Sequence, residues 1–120
     1  MNTDKTIVQY NEIIAHCQSI FIDKMKDYGS AWRTLRLPSL TDQIFIKVQR
    51  IRTLQEHQER KIEEDETTEF VAVINYSLMA LIQIEKSVAN EPDLDLEHAI
   101  ALYNEKVEET RGLMLRKNHD

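Results

Sequence analysis

Apolar residues recur every three or four positions along most of this chain, and this spacing is typical of α-helices. The clearest stripe lies in the first thirty residues and comprises Ile7, Tyr10, Ile14, Cys17, Phe21 and Met25. Only two glycines and two prolines occur in 120 residues. These are too few for the tight turns that an all-β chain of this length requires. The sequence therefore predicts an all-α protein.

Breaking and capping residues delimit the first two helices. The first helix is expected to end before Gly29, because glycine suits the position that follows a helix C-terminus. Pro38 disfavours helical geometry at the residue before it. A second helix is therefore expected over about 40–60, with Ser39 or Thr41 as its N-cap.

The second half of the chain contains two further helical segments. The polar residues 56–66 are expected to form a connection, and a third helix is expected from Asp65 or Thr67 to about Ser87. This helix is apolar on nearly all sides, which predicts a buried central position. A fourth helix is expected over 95–116. Short connections between four such helices predict an antiparallel four-helix bundle that forms a single domain.

Composition excludes several classes of function. The net charge of −6 disfavours binding to duplex nucleic acid, and a single cysteine cannot form a disulfide framework or a cysteine zinc site. The four histidines show no metal-ligand spacing. No signal peptide is visible at the N-terminus. The longest apolar-rich run, 70–84, is shorter than the roughly 20 residues that span a bilayer. We expect a cytoplasmic protein without a membrane partner.

Five basic residues lie within twenty residues of this acidic chain: Arg33, Arg36, Lys47, Arg50 and Arg52. Lysine and arginine are the side chains that bind phosphate oxygens. Lys47 and Arg50 are three residues apart on the second helix, so both can face one ligand. Both also fall between apolar positions of that helix, which indicates shielding from water. The alternative is that the basic residues pair with acids of the third helix, and for Arg33 and Arg52 the two interpretations are balanced.

The third helix carries further candidate ligand contacts. Glu66 and Glu69 have helix-face spacing and could hold magnesium, although acids near a helix N-terminus are also favoured by the helix dipole. Asn75 lies within the buried helix and must bond either a neighbouring helix or a ligand. Trp32 with Tyr28 could stack on a base or anchor a loop on the core. The sequence leaves these alternatives open.

Three blocks of the chain resemble the nucleotide modification associated domain 1 family of bacteria and phages. The segment 24–32, KMKDYGSAW, resembles its K-x-x-D-Y-G-x-x-W/F signature, and 42–52, DQIFIKVQRIR, resembles its D-x-I-x-x-K-x-x-R-I-R block. The pairs Glu69-Phe70 and Asn75-Tyr76 resemble its E-F…N-Y block. The resemblance covers about 24–85 and has the blocks in the same order.

That family is in turn similar to the MazG-like and dUTPase-like all-α pyrophosphohydrolases, which implies a MazG-like arrangement of the helices. These enzymes hold magnesium with E-x-x-E and E-x-x-D pairs and cleave nucleoside triphosphates to monophosphate and pyrophosphate. Here Glu69 matches the first acid of an E-x-x-D pair, but Ala72 replaces the second. Asp42, Lys47 and Arg50 stand where acids of the partner helix are expected. The resemblance therefore implies a nucleotide pocket more strongly than it implies hydrolysis.

Together these observations predict a helical domain that binds a nucleotide or another phosphorylated small molecule. Contacts with phosphate are expected from Lys24, Arg36, Lys47 and Arg50, and contacts with base or sugar from Tyr28, Trp32 and Asn75. Glu69 is expected to orient Mg²⁺ or the cations, with Asp42 or Asp27 beside it for catalysis or ligand binding and Glu66 as a second metal ligand. The alternative function is a non-enzymatic dimerisation module with the apolar second helix as its seam. A homo-oligomer is compatible with both.

Overall fold

The computed structural model describes residues 3–57 and 62–119, and within these ranges the protein is all-helical. Its elements are α1 (Thr3–Tyr28), a 3₁₀ helix (Ala31–Thr34), α2 (Leu37–His57), α3 (Ile62–Lys86) and α4 (Leu96–His119). The described ranges contain no strand. The all-α prediction and the four predicted helices are confirmed.

Between α1 and α2, the structure agrees with the predicted end of α1 but differs from the predicted start of α2. Gly29 follows α1 with φ of 61° and donates its backbone N–H to the Met25 carbonyl at 2.8 Å. This is the left-handed conformation expected after a helix end. The predicted start of α2 is wrong, because α2 begins at Leu37 and Ser39 lies inside its first turn. Proline is tolerated there, since the N–H it lacks would have no intrahelical partner.

Helix α3 begins earlier than the sequence indicated. It is helical from Ile62, three residues before the first predicted start. The acidic run that was expected to be a connection therefore forms the first turns of the helix, where carboxylates are favoured by the helix dipole. The predicted end of α2 near residue 60 lies outside the described residues.

Helix α3 is the central helix, as expected, because it packs against α1, α2 and α4, whereas α2 packs mainly against α3. The core combines residues of all four helices and the 3₁₀ helix, and its fully buried side chains include Phe21, Leu40, Ile82 and Tyr103. By length and composition alone, Asp65–Lys86 within α3 could cross a membrane, a property that core helices of soluble proteins share. In this fold, α3 contacts three helices, but only 33% of its apolar window is buried, so the expected burial on nearly all sides is not found.

The connection between α3 and α4 is held against the 3₁₀ helix by two buried polar side chains. Gln83 and Arg33 are each 2% exposed. The Gln83 side chain accepts a hydrogen bond from Arg33 Nη1 and donates to the carbonyls of Arg33 at 2.9 Å and Leu35 at 2.7 Å. Arg33 Nε also donates to Asp93 Oδ1 at 3.0 Å. Arg33 therefore forms an ion pair, but it is buried and its acid lies in the α3–α4 connection, whereas the alternative expected an acid of α3.

Candidate functional site

A cavity of about 200 Å³ opens between α1, α2 and α3, and we call it the first cavity. Its apolar walls are formed by Ile20, Phe21, Val71, Ala72 and Met79. Its polar groups include His16, Lys24, Lys47 and Asn75. Three of the predicted ligand contacts, Lys24, Lys47 and Asn75, are thus brought together from three different helices. Ligand sites commonly combine apolar walls with a few polar groups in this way.

A second cavity of about 340 Å³ adjoins the first at the end of α1 and the 3₁₀ helix. The two cavities share Phe21, Lys24, Tyr76 and Met79, so Lys24 stands at their junction. Tyr28 and Trp32, the predicted base contacts, line the second cavity. Together the two cavities are lined by five of the predicted site residues, and we call the pair of adjoining cavities the cleft.

The aromatic pair in the second cavity is placed asymmetrically. Trp32 is buried, donates from Nε1 to Met25 Sδ at 3.3 Å, and contacts the Phe21 ring with centroids 6.1 Å apart. Tyr28 is 73% exposed. Trp32 is thus an anchor of the 3₁₀ helix on the core and also a wall of the cleft. Of these two rings, that of Tyr28 is the exposed one and is open to stacking on a ligand.

Asn75 joins three helices at the base of the first cavity. Its Nδ2 donates to the Cys17 carbonyl of α1 at 3.0 Å, and its Oδ1 accepts from the Tyr103 hydroxyl of α4 at 2.8 Å. Burial raises the pKa of Tyr103, which keeps that hydroxyl protonated as a donor. A side-chain amide offers two N–H groups and two acceptor lone pairs. Asn75 therefore bonds the neighbouring helices with one donor and one acceptor, and its amide has one further donor and one further acceptor position.

Lys47 and Glu69 form an ion pair beside the first cavity. Lys47 Nζ lies 3.3 Å from Glu69 Oε2, and their side chains are 31% and 15% exposed. Glu69 Oε2 is itself fully buried and accepts no hydrogen bond within the described part of the chain. The Lys47 contact is therefore an electrostatic one without hydrogen-bond geometry. Glu69 depends on Lys47 for compensation of its charge.

The remaining six predicted site residues line neither cavity, and they include Glu66 and Glu69. Arg36, Asp42, Asp27 and Arg50 are exposed and line neither cavity. The expectation that Arg50 is shielded from water is wrong. Its apolar neighbour on the helix surface, Ile46, is 54% exposed, so the sector containing both faces solvent.

His16 is a cavity residue that the sequence analysis did not select. It lines the first cavity together with Ile20 and Lys24, and these three residues are spaced at i, i+4 and i+8 along α1. Such residues lie along one side of a helix. Extending this series back from Lys24 would have identified His16, whereas a search for metal-ligand spacing could not.

The described residues do not assemble a magnesium centre in the cleft. Of the two predicted metal ligands, Glu69 faces Lys47, and Glu66 accepts a hydrogen bond from Gln55 Nε2 at 2.6 Å. Magnesium in proteins is usually held by one or two carboxylates together with waters and ligand phosphates. Glu69 and Glu66 are each engaged by another side chain, and neither lines a cavity, so they fit charge and hydrogen-bond partners better than magnesium ligands in this structure.

A cluster of carboxylates does occur elsewhere, between α3 and α4. Glu85, Glu105 and Glu109 bring one carboxylate oxygen each to within 4.8 Å of one another. The ammonium group of Lys106 lies among them, at 3.0 Å from Glu85 and 3.2 Å from Glu109. Burial disfavours the charge of Lys106, but hydrogen bonds to Glu85 and Glu109 outweigh this effect and raise its pKa. The position that a cation would take is therefore occupied by a lysine.

Comparison with known proteins supports the resemblance that the three blocks indicated. The model of the nucleotide modification associated domain 1 family matches residues 24–84, just over half of the chain. No curated protein and no solved structure matches this chain. The similarity to MazG-like enzymes therefore stays a prediction. The matched region includes α2, nearly all of α3 and the cleft residues Lys24 and Lys47. The chain belongs to the nucleotide modification associated domain 1 family.

Proposed function

We propose that this protein binds a nucleotide or a nucleotide-derived phosphate in the cleft formed by the two cavities. The observation that carries the proposal is the convergence of Lys24, Lys47 and Asn75 on one apolar cavity. Ammonium groups attract phosphate, and an amide at the base of an apolar cavity can bond the edge of a nucleobase.

We propose binding rather than hydrolysis as the function. A general base must lie within hydrogen-bond reach of the water that it activates. The carboxylate beside the first cavity, that of Glu69, faces Lys47, and Asp42 is exposed away from the cleft. A pyrophosphate-release assay with the four deoxynucleoside triphosphates and Mg²⁺ tests this point. We expect no turnover above the rate without protein, and a rate that depends on Glu69 would contradict the proposal.

Titration calorimetry with a panel of deoxynucleotides tests binding directly. Trp32 is the sole tryptophan and lines the second cavity, so its fluorescence provides a second measure of the same event. Replacing Lys24 with Met removes a charge-assisted contact, which corresponds to an affinity loss of about tenfold or more. Lys26→Met is the matched control, because Lys26 is exposed on α1 and lines neither cavity. Absence of binding by the folded wild type would refute the proposal.

A dimerisation module is the second candidate, and one specific observation favours it. Phe45 and Ile46 of α2 are 61% and 54% exposed, and Phe70 and Ile84 of α3 are 48% and 65% exposed. Within residues 3–57 and 62–119, α2 packs mainly on α3, and its face with Phe45 and Ile46 is left exposed. Exposed apolar surface of this kind is typical of an interface.

Light scattering coupled to size exclusion tests the second candidate. Phe45→Ser should convert an oligomer to a monomer if α2 forms the seam, whereas Val8→Ser, a change at an exposed position of α1, should not. A monomeric wild type would refute this candidate and leave the nucleotide proposal unaffected.

A further inference from the structure

The positive charge available to a ligand in the cleft is small. Among the described residues, two lysines, Lys24 and Lys47, line the cavities, and no arginine lines either of them. Lys24 has no carboxylate within ion-pair distance among those residues, whereas Lys47 is paired with Glu69. With His16 counted as neutral, the two ammonium groups and the carboxylate of Glu69, which lines neither cavity but is paired with Lys47, leave a net charge of one positive. The chain as a whole carries −6, so the surrounding field adds no attraction for anions.

Lys47 cannot leave Glu69 without cost. Glu69 Oε2 is fully buried, and Lys47 Nζ at 3.3 Å is its compensating charge. Removing the partner of a buried charge is strongly unfavourable. A bound phosphate must therefore share Lys47 with Glu69, and its main uncompensated partner is Lys24 at the junction of the cavities.

We propose, on the basis of the nucleotide-binding function above, that the cleft takes a nucleoside monophosphate in preference to a triphosphate, and that Glu69 sets this preference. The base occupies the apolar first cavity with Asn75 at its edge, and the single phosphate lies between Lys24 and Lys47. Each further phosphate adds negative charge that the lining residues of the cleft do not neutralise and that Glu69 repels. Glu69 is a specificity-determining residue in this arrangement, because it restrains Lys47.

The experiment compares affinities for the four 2′-deoxynucleoside 5′-monophosphates with those for the matching triphosphates, in EDTA and then in Mg²⁺. Unphosphorylated deoxynucleosides and inorganic phosphate are included as separate ligands. In EDTA we expect the preferred monophosphate to bind about tenfold more tightly than its triphosphate, which corresponds to one charge-assisted contact. Magnesium should narrow this ratio, because it neutralises part of the added charge.

Glu69→Gln tests the residue assigned to this preference. The substitution releases Lys47 and should raise triphosphate affinity about tenfold while changing monophosphate affinity less. Glu56→Gln is the matched control, because Glu56 is exposed on α2, lines neither cavity and alters the net charge of the protein equally. Circular dichroism verifies the fold of each variant. If Glu69→Gln does not fold, the wild-type ratio in EDTA still decides the ligand class.

The outcomes separate this inference from the proposed function. Tighter binding of the triphosphate by the wild type in EDTA overturns the inference but leaves nucleotide binding standing. The inference is likewise overturned, and nucleotide binding left standing, if Glu69→Gln and Glu56→Gln have equal ratios of monophosphate to triphosphate affinity. Binding of inorganic phosphate as tightly as any nucleotide, or of no ligand at all, overturns both.

Discussion

The hydrogen-bonded contact between Asn75 and Tyr103 offers the sharpest test of the fold around the cleft. Asn75 is 6% exposed and Tyr103 is fully buried, and the Tyr103 hydroxyl donates to Asn75 Oδ1 at 2.8 Å. Asn75→Leu preserves approximate side-chain size while removing the amide and both of its hydrogen bonds, to the Cys17 carbonyl and from the Tyr103 hydroxyl. It also leaves a buried hydroxyl without an acceptor among the described residues.

The expected cost follows from these contacts. Each lost hydrogen bond is worth about 1 kcal/mol, and a buried hydroxyl left unpaired costs a further 1–3 kcal/mol or so. Asn75→Leu removes two hydrogen bonds and should therefore lower the free energy of unfolding by about 3–5 kcal/mol. Tyr103→Phe should cost about 1–2 kcal/mol, because the amide keeps its bond to Cys17. The double variant should be about as stable as Tyr103→Phe alone, since both polar groups are then removed together.

Urea unfolding followed by far-ultraviolet circular dichroism measures these differences. With slopes of about 1–3 kcal/mol per molar urea, the Asn75→Leu midpoint should fall by about 1 M or more. Asn104→Leu is the control, because Asn104 is exposed on α4 and the hydrogen bond that it accepts from Gln18 Nε2 is also exposed, so its replacement should change stability by only about 0.5 kcal/mol. If the two single costs simply add in the double variant, the proposed coupling between α3 and α4 through Asn75 is refuted.

Three further predictions concern the connections that frame the second cavity. Gly29→Ala should lower the free energy of unfolding by about 1 kcal/mol, because alanine is strained at a φ of 61°. An added Cβ would meet no atom within 4 Å, so this cost comes from the backbone conformation alone. An unchanged melting temperature would contradict this explanation. Ser30→Ala should cost about 1–2 kcal/mol in urea unfolding, since the buried Ser30 hydroxyl accepts the Leu94 backbone N–H at 3.1 Å. The hydrogen bond from Arg33 holds the pKa of Asp93 below its usual value, so its stabilising contribution is present above the unfolded pKa of about 3.9 and is lost as pH falls through the folded value. Asp93→Asn should therefore be less stable than wild type at neutral pH. The difference in melting temperature between the two proteins should close below about pH 4. A difference that is independent of pH would show that the charge pair with Arg33 contributes nothing.

The sequence by itself determined the helices and the family. Three-to-four spacing of apolar residues is a local property that specifies helical faces wherever the segment packs. Gly29 specified the end of α1 for an equally local reason, because few other residues adopt its backbone conformation. The blocks that begin at Lys24, Asp42 and Glu69 lie within the region matched by the family model. The first residues of α2 and α3 were not predicted correctly, because proline and acidic residues are both tolerated in the first turn of a helix.

Tertiary packing alone decided which of the predicted site residues meet. Periodicity placed both Lys47 and Arg50 among apolar positions of α2, but a helix covered mainly by one neighbour buries only one of its apolar sectors. Packing on α3 buried Ile51 and Leu54, which set Lys47 at the cleft and beside Glu69, and left Ile46 and Arg50 in solvent. Which sector is covered depends on where another helix lies in space, and one helix's sequence does not contain that information.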